Sequence, residues 1–479
     1  MVTQITDIIK KHYEYSFISI LLVLPLLAFS GYRTIEMEFT YDEWRTLEVI
    51  QLTLLLLFFS INRNIYNYAQ TKISPTIFYL FIALVFTSLC SSLISDNHLR
   101  ALRDNTLIIS LFLATIPLAY IFSKGENTQN KIIFFISLTH IIFLINISAQ
   151  FLSAYSIQDK SVFTSWYNNF NNPRIYGDFL IIFLPLIFLI TIKSNKNQKS
   201  LMLYTAVSHF LLFFSGGRAE ILSLFFSVIM VYFISPSQST HIKKYFLVIS
   251  ACLLCNFIVQ AILPWDFNNF RRNDYSNGRL DIYLKTLQSA STHWIWGTGG
   301  DSFYKIPNIK QLVGAHPHNL PLQILSEYGV IVLLIVFLIF SVLFYRWFNK
   351  LSQLTKIDNS SVNYIYLSIS LLACVINSLF GGNHIYPLSQ LYIILVIALI
   401  ISHHSPYQEN TIPKNIFICT AIRLSLFIYA GIFAAINYQS LSCYQSRHKT
   451  SIIAEDINPR FWSSNHDNFE KSCYNGISK

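Results

Sequence analysis

Apolar residues in this chain are gathered into about thirteen runs, each near the length of roughly 20 residues that a helix needs to cross a hydrocarbon core. They lie at residues 16–32, 47–61, 74–91, 106–122, 132–152, 179–192, 201–215, 219–234, 245–263, 320–345, 362–380, 388–401 and 416–436. Charged residues make up only 12% of the 479 positions against 53% hydrophobic ones, which excludes an ordinary soluble domain. The expected fold is therefore all-α: a polytopic membrane helix bundle of about 12–13 transmembrane helices. Lys10 and Lys11 before the first run, and Ala28 and Ser30 near its end, are signal-peptide features, but with a dozen spans behind it an uncleaved first helix is expected.

Lysines and arginines alternate from loop to loop. With the N-terminus inside, the cytoplasmic side holds Arg63 and Lys72, Lys124 and Lys131, Lys193, Lys196 and Lys199, Lys243 and Lys244, Arg346, Lys350 and Lys356, and Lys414. The opposite loops mix signs, as in Glu36, Glu38, Asp42 and Glu43, so the net charge of +10 is largely an orientation signal. No basic run with interleaved aromatics projects from the bundle, and a nucleic-acid partner is excluded. Of the seven cysteines, Cys90, Cys252, Cys255, Cys374 and Cys419 fall in apolar runs; Cys252 and Cys255 have CxxC spacing but read as packing residues. Cys443 and Cys473 fall in a tail that thirteen spans would export, where the compartment permits a disulfide.

No repeat or linker divides the chain, so residues 1–437 read as one bundle, followed by a polar tail, 438–479. One outer loop, 264–319, is far longer than a usual connection and too rich in Trp, Tyr and Phe for disorder. Within it, 281–289 has the pattern of a short amphipathic helix, and the following Gly297, Gly299 and Gly300 mark a turn. The loop reads as a folded cap. A smaller outer loop, 153–178, has a similar character.

The outer ends of the helices carry the candidate chemistry. Arg218 follows Ser215, Gly216 and Gly217 in a tight hairpin at a helix start, where close backbone approach, free N–H groups and a guanidinium together suit a phosphate or pyrophosphate. Its bland alternative is a snorkelling arginine or a pair with Glu220. Arg174 and Arg279 occupy comparable positions, whereas Arg271 and Arg272 read equally as a solvated cluster or a lipid-headgroup contact. His316, Pro317, His318 and Asn319 precede the long tenth span; an imidazole kept neutral there is able to take a proton from a hydroxyl. Metal binding is disfavoured because neither histidine has a Cys or carboxylate at ligand spacing, and a structural role remains open for His316. Asn319 has two open roles, capping the helix or orienting an acceptor. Glu327, two turns in, requires a protein partner such as an arginine or backbone donors. Gly381, Gly382, Asn383 and His384 form the last outer turn; it either lines the same pocket or is a plain turn.

Four segments, 215–222, 278–283, 296–303 and 316–329, resemble the O-antigen ligase and Wzy-type polymerase superfamily of bacterial envelope proteins, in order and spacing over about 174–387. The resemblance implies a helical glycosyltransferase of the C type in the bacterial inner membrane, with its site at the periplasmic face. It further implies an undecaprenyl-pyrophosphate-linked glycan donor, lipid A-core or another glycan as acceptor, membrane lipids as surroundings, and no nucleotide sugar, cofactor or metal. By that resemblance Arg218 and Arg279 match donor pyrophosphate-binding positions and His318 matches the acceptor-activating histidine; Arg174 joins the donor-binding candidates, and His316, Asn319, Glu327 and His384 the acceptor or supporting ones, by their place at the outer helix ends. Ligases of this type are usually drawn with about twelve spans, so a thirteenth and an exported tail depart from the pattern. Ligase, polymerase and protein oligosaccharyltransferase remain open within the class. A glycolipid flippase is the competing class, disfavoured because the polar groups cluster at one face and no repeat is present.

Overall fold

The computed structural model describes residues 40–157, 173–194, 197–262, 275–306, 316–354, 358–404 and 416–448. The described helices are α1 (Thr40–Ile61), α2 (Arg63–Lys72), α3 (Pro75–Ile94), α4 (His98–Phe122), α5 (Glu126–Ile157), α6 (Pro173–Lys193), α7 (Gln198–Phe214), α8 (Arg218–Ile234), α9 (Ser239–Ile262), α10 (Tyr275–Thr292), α11 (Leu320–Ser352), α12 (Asn359–Asn377), α13 (Pro387–His404) and α14 (Ile416–His448). Twelve of the apolar runs are helices, and the run at 16–32 lies outside the described residues. Among the described residues, nine helices are long and apolar enough to cross a membrane; α7 and α8, at 17 residues each, and α13 are shorter apolar members of the bundle.

Starts are set by side-chain caps. Ser74 accepts the Ile77 N–H ahead of Pro75, Asn97 accepts that of Arg100, and Asp358 accepts that of Ser361, each satisfying a donor that the first helical turn leaves open. Arg63–Lys72, read as a loop from its charges, is a short helix whose Tyr68 packs edge-on against Tyr120 of α4. The α14 helix continues past residue 437 to His448; Cys473 and the Cys443 side chain lie outside the described residues, and Cys252 and Cys255 are free thiols, one buried and one exposed.

The bundle is organised around α6, where Phe179, Leu180, Ile181, Ile182, Phe183 and Leu184 are all fully buried. It packs against α5, α7, α12 and α13, and α12 against α8. Outward, Phe86, Phe226, Leu254, Phe257 and Phe337 stand exposed, an arrangement that only a lipid solvent makes favourable. Small polar side chains tie the interior: Ser370 donates to the Ile182 carbonyl at 2.5 Å, Thr191 and Thr205 hydroxyls meet at 2.7 Å, and Trp347 Nε1 donates to Ser368 at 2.9 Å.

The tenth predicted span is broken. Gly329 adopts φ 82°, ψ 176° inside α11, so the helix stops two residues after Glu327 and restarts. The chain after α10 lies in the gap: Thr298 N–H donates to Ser326 O at 3.0 Å, Gly299 N–H to Glu327 O at 2.7 Å, and Val330 N–H to Trp294 O at 2.8 Å. From α3, Ser91 Oγ donates to Trp296 O at 2.5 Å and Ser95 Oγ to Thr298 O at 2.8 Å. Backbone groups released by the kink are thereby satisfied within the protein, as a break in an apolar helix requires. A Cβ at position 329 would lie 2.7 Å from Trp296 N as well as against the Ile295 carbonyl, in a φ region that costs an L-residue roughly 1–2 kcal/mol. Gly329→Ala is therefore expected to destabilise the protein by more than about 2 kcal/mol, read as a lowered unfolding temperature in detergent; an unchanged temperature would show that the kink is not required.

Candidate functional site

Four chain segments meet at one end of the bundle. The first is the hairpin joining α7 to α8, where Ser215 ends α7, Gly216 takes φ 69° and Gly217 precedes Arg218. Arg218 is exposed at the first turn of α8, whereas Glu220, two residues on, is buried and folded back beneath Gly217. Among the described residues no ion pair joins the two, which removes an Arg218–Glu220 pair as the reason for the arginine.

The second segment is the head of α6. A Cβ on Gly177 would sit 3.3 Å from both Glu220 Cγ and Ser215 Oγ, so a glycine lets α6 meet the hairpin closely. The next residue, Asp178, is buried and connects three elements. Its carboxyl hydrogen-bonds Glu220, accepts from Asn377 Nδ2 of α12, and accepts the Gly382 N–H at 3.3 Å. Arg174 stands in the first turn of α6, with its side chain outside the described residues.

Gly382 belongs to the third segment, the turn between α12 and α13, and it faces the fourth, the histidine turn before α11. A Cβ there would lie 3.1 Å from His316 Cε1 and Nε2 and 2.8 Å from the Tyr386 ring. The His316 and His318 rings are 4.1 Å apart, and His384 approaches His316 edge-on at 6.1 Å. Buried His316 accepts the His318 backbone N–H on Nδ1 at 3.1 Å, so Nδ1 carries no proton in this arrangement. His318 itself is half-buried with φ 53°; it and Asp301 are the non-glycine residues with positive φ among those described. A histidine held in the left-handed region costs energy that the surrounding contacts must offset, a condition that concentrates at functional sites.

Asn319 caps α11, accepting the Leu322 N–H at 2.9 Å while its Nδ2 donates to Leu379 O at 3.0 Å. Of the two roles open to it, the cap is the one the structure displays. His384 Nε2 meets Gln323 Oε1 at 3.0 Å, and Gln323 Nε2 donates to Glu327 Oε2 at 3.3 Å, so buried Glu327 has an amide partner. With the amide oxygen as acceptor, His384 carries its proton on Nε2.

Sequence reasoning missed the polar residues supporting this end. Arg45 of α1, ion-paired with Glu48, donates to Gln390 Oε1 at 2.7 Å and to the Ile385 carbonyl at 2.8 Å, and Gln390 Nε2 donates to His384 O at 2.8 Å. On α4, Arg100 and Arg103 reach Asp301 at 2.7 and 3.7 Å, while Tyr328 Oη donates to Asp104 at 2.5 Å. These join the glycine turn after α10 to α4. The sequence shows these charges at the heads of apolar runs but not the distant partners that make them supports. Arg279 lies half-buried early in α10, the helix that packs against α11, while Arg271 and Arg272 fall outside the described residues. Among the described residues no three His, Cys, Asp or Glu side chains are grouped to hold a metal.

Residues 201–337 match the family model described as O-Antigen ligase. Over this segment the chain is O-antigen ligase-like. The match takes in Arg218, Arg279, His316, His318, Asn319 and Glu327, and leaves Arg174 and His384 outside. It supports a function of the O-antigen ligase or polymerase type in a multi-pass membrane protein, a glycosyltransferase-like activity on lipid-linked glycans. No curated protein matches the chain.

The double role of Asn319 makes a measurable claim. Asn319→Ala removes the cap and the Leu379 bond, and is expected to destabilise by about 1–2 kcal/mol; Asn319→Asp keeps the cap acceptor and should fall between the two in unfolding temperature. Equal temperatures for Ala and the native residue would show the cap to be idle.

Proposed function

We propose that this protein is an O-antigen ligase: it transfers a glycan from undecaprenyl pyrophosphate to an acceptor hydroxyl of lipid A-core at the periplasmic face of the bacterial inner membrane. The observation that carries the reading is the histidine turn. His318 is held in a left-handed conformation with its N–H on the Nδ1 of His316, and through Gly382 and Asp178 this turn is linked to a hairpin whose helix start and exposed guanidinium suit a pyrophosphate.

In this reading His318 takes the proton from the acceptor hydroxyl as its oxygen attacks the anomeric carbon of the donor glycan. The bond from that carbon to the pyrophosphate oxygen breaks, undecaprenyl pyrophosphate leaves with the electron pair, and attack from the opposite side inverts the configuration. Negative charge builds on the leaving group, where Arg218 and Arg279, with Arg174 in support, act as the cations; guanidiniums supply what a metal ion supplies in other transferases. His316 fixes the His318 backbone, and Asn319, Glu327 and His384 hold the turn in place.

The test is glycan transfer in proteoliposomes with a lipid-linked donor and lipid A-core. Loss of a general base or of one leaving-group cation typically costs about 100-fold or more, so Arg218→Ala, Arg279→Ala and His318→Ala are each expected to lower the rate by at least that factor with expression unchanged. Full transfer by His318→Ala would sink the base assignment. Chain extension on lipid-linked repeats without transfer to lipid A-core would make the protein a polymerase.

A further inference from the structure

Helix α10 has three faces rather than two. Ile282, Thr286 and Ala290 recur every fourth residue and are buried in the protein, Ile282 against Phe303 and Ile306. Asp281, Lys285, Gln288 and Thr292, spaced by four, three and four, form a polar stripe. Between these, Leu280, Leu284 and Leu287 form a third stripe, 59%, 56% and 45% exposed. A helix with one side buried and the other in water has no use for three exposed leucines aligned on a separate face.

The chain beyond α10 shows what lies against that face. Trp294, exposed at the end of the helix, accepts the Val330 N–H through its carbonyl, and Val330 is one turn before exposed Leu334 on α11, followed by Phe337 and Leu338. On the other side, Ser91 of α3 holds the Trp296 carbonyl, next to the exposed Leu93 and Ile94 at the end of that helix. The Trp294 corner is thus set between the lipid-facing surfaces of two membrane-spanning helices, and Trp is the residue that settles at the boundary of a bilayer.

We propose that α10 lies on the bilayer surface, its Leu280, Leu284 and Leu287 stripe immersed in the acyl–headgroup boundary of the leaflet at the histidine end of the bundle. The lipid-facing belt is continuous through Trp294 onto α10, while the stripe bearing Asp281 and Lys285 stays in water. The loop is a cap anchored at three points: to the kink of α11, to α3, and to the membrane itself.

Photo-crosslinking in the full chain tests this. The photoreactive residue p-benzoylphenylalanine is placed singly at Leu284, Leu287, Asp281 or Thr292, and at Phe257 on lipid-facing α9 as a reporter that the reaction works. Each variant is irradiated in vesicles of phosphatidylethanolamine and phosphatidylglycerol and weighed intact. The expected result is an adduct heavier by one phospholipid at 284, 287 and 257, and none at 281 or 292. Lipid adducts at 281 and 292 as well would overturn the stated orientation. A product of twice the protein mass from 284 or 287 would assign the stripe to a second copy, and no adduct there while 257 reacts would place it in water; either result overturns the proposal.

Discussion

The carboxyl of Asp178 is the fixed point about which the candidate site is assembled. It sits at the head of α6, the most deeply packed helix, where an ionisable group without partners would be costly. Its acceptors are met by Asn377 of α12 and the Gly382 backbone, and the carboxyl of Glu220 of α8 lies against it. In meeting them, the protein draws the α7–α8 hairpin and the α12–α13 turn to one place, and that turn presses on His316. The glycines at 177, 217 and 382 are required by the same constraint, since each faces a carboxylate or ring that leaves little or no room for a Cβ.

A second constraint is the scarcity of backbone partners in an apolar helix. Breaking α11 at Gly329 frees polar groups that lipid cannot satisfy, and the glycine-rich chain after α10 supplies the missing donors and acceptor. The large loop is therefore part of the bundle's hydrogen bonding rather than a separate lid. Arg100, Arg103 and Asp104 of α4, joined to Asp301 and Tyr328, hold the same glycine turn from the other side. One polar network thus fixes the loop and another, from Arg45 through Gln390 to His384, fixes the turn opposite it.

One hydrogen bond sets the two histidines apart. His316 is buried and spends its Nδ1 on the His318 backbone, while His318 is half-buried and turned into an uncommon backbone region. A residue already engaged with its neighbour's amide is a poor choice for a proton acceptor, and the structural role left open for His316 is the one the geometry displays. The separation of Glu220 from Arg218 works in the same direction, leaving the guanidinium exposed at a helix start.

Much of the architecture was legible in the sequence because lipid is a demanding solvent. Runs of about 20 apolar residues are local properties, and they specify helices without knowledge of neighbours. The hairpin glycines and the Asn319 cap were legible for the same reason: each is a local solution to backbone geometry. The kink at Gly329 was not, because an apolar run looks the same whether or not a distant segment stands ready to accept its freed backbone groups. Nor were Asp178, Arg45 and Arg100 recognisable as supports, since the value of a buried charge depends on partners far away in the chain, as with Asp178 and Gly382 or Arg100 and Asp301. Local periodicity determined which segments are helices; only the packed bundle, through these long-range polar contacts, decided which helix ends meet.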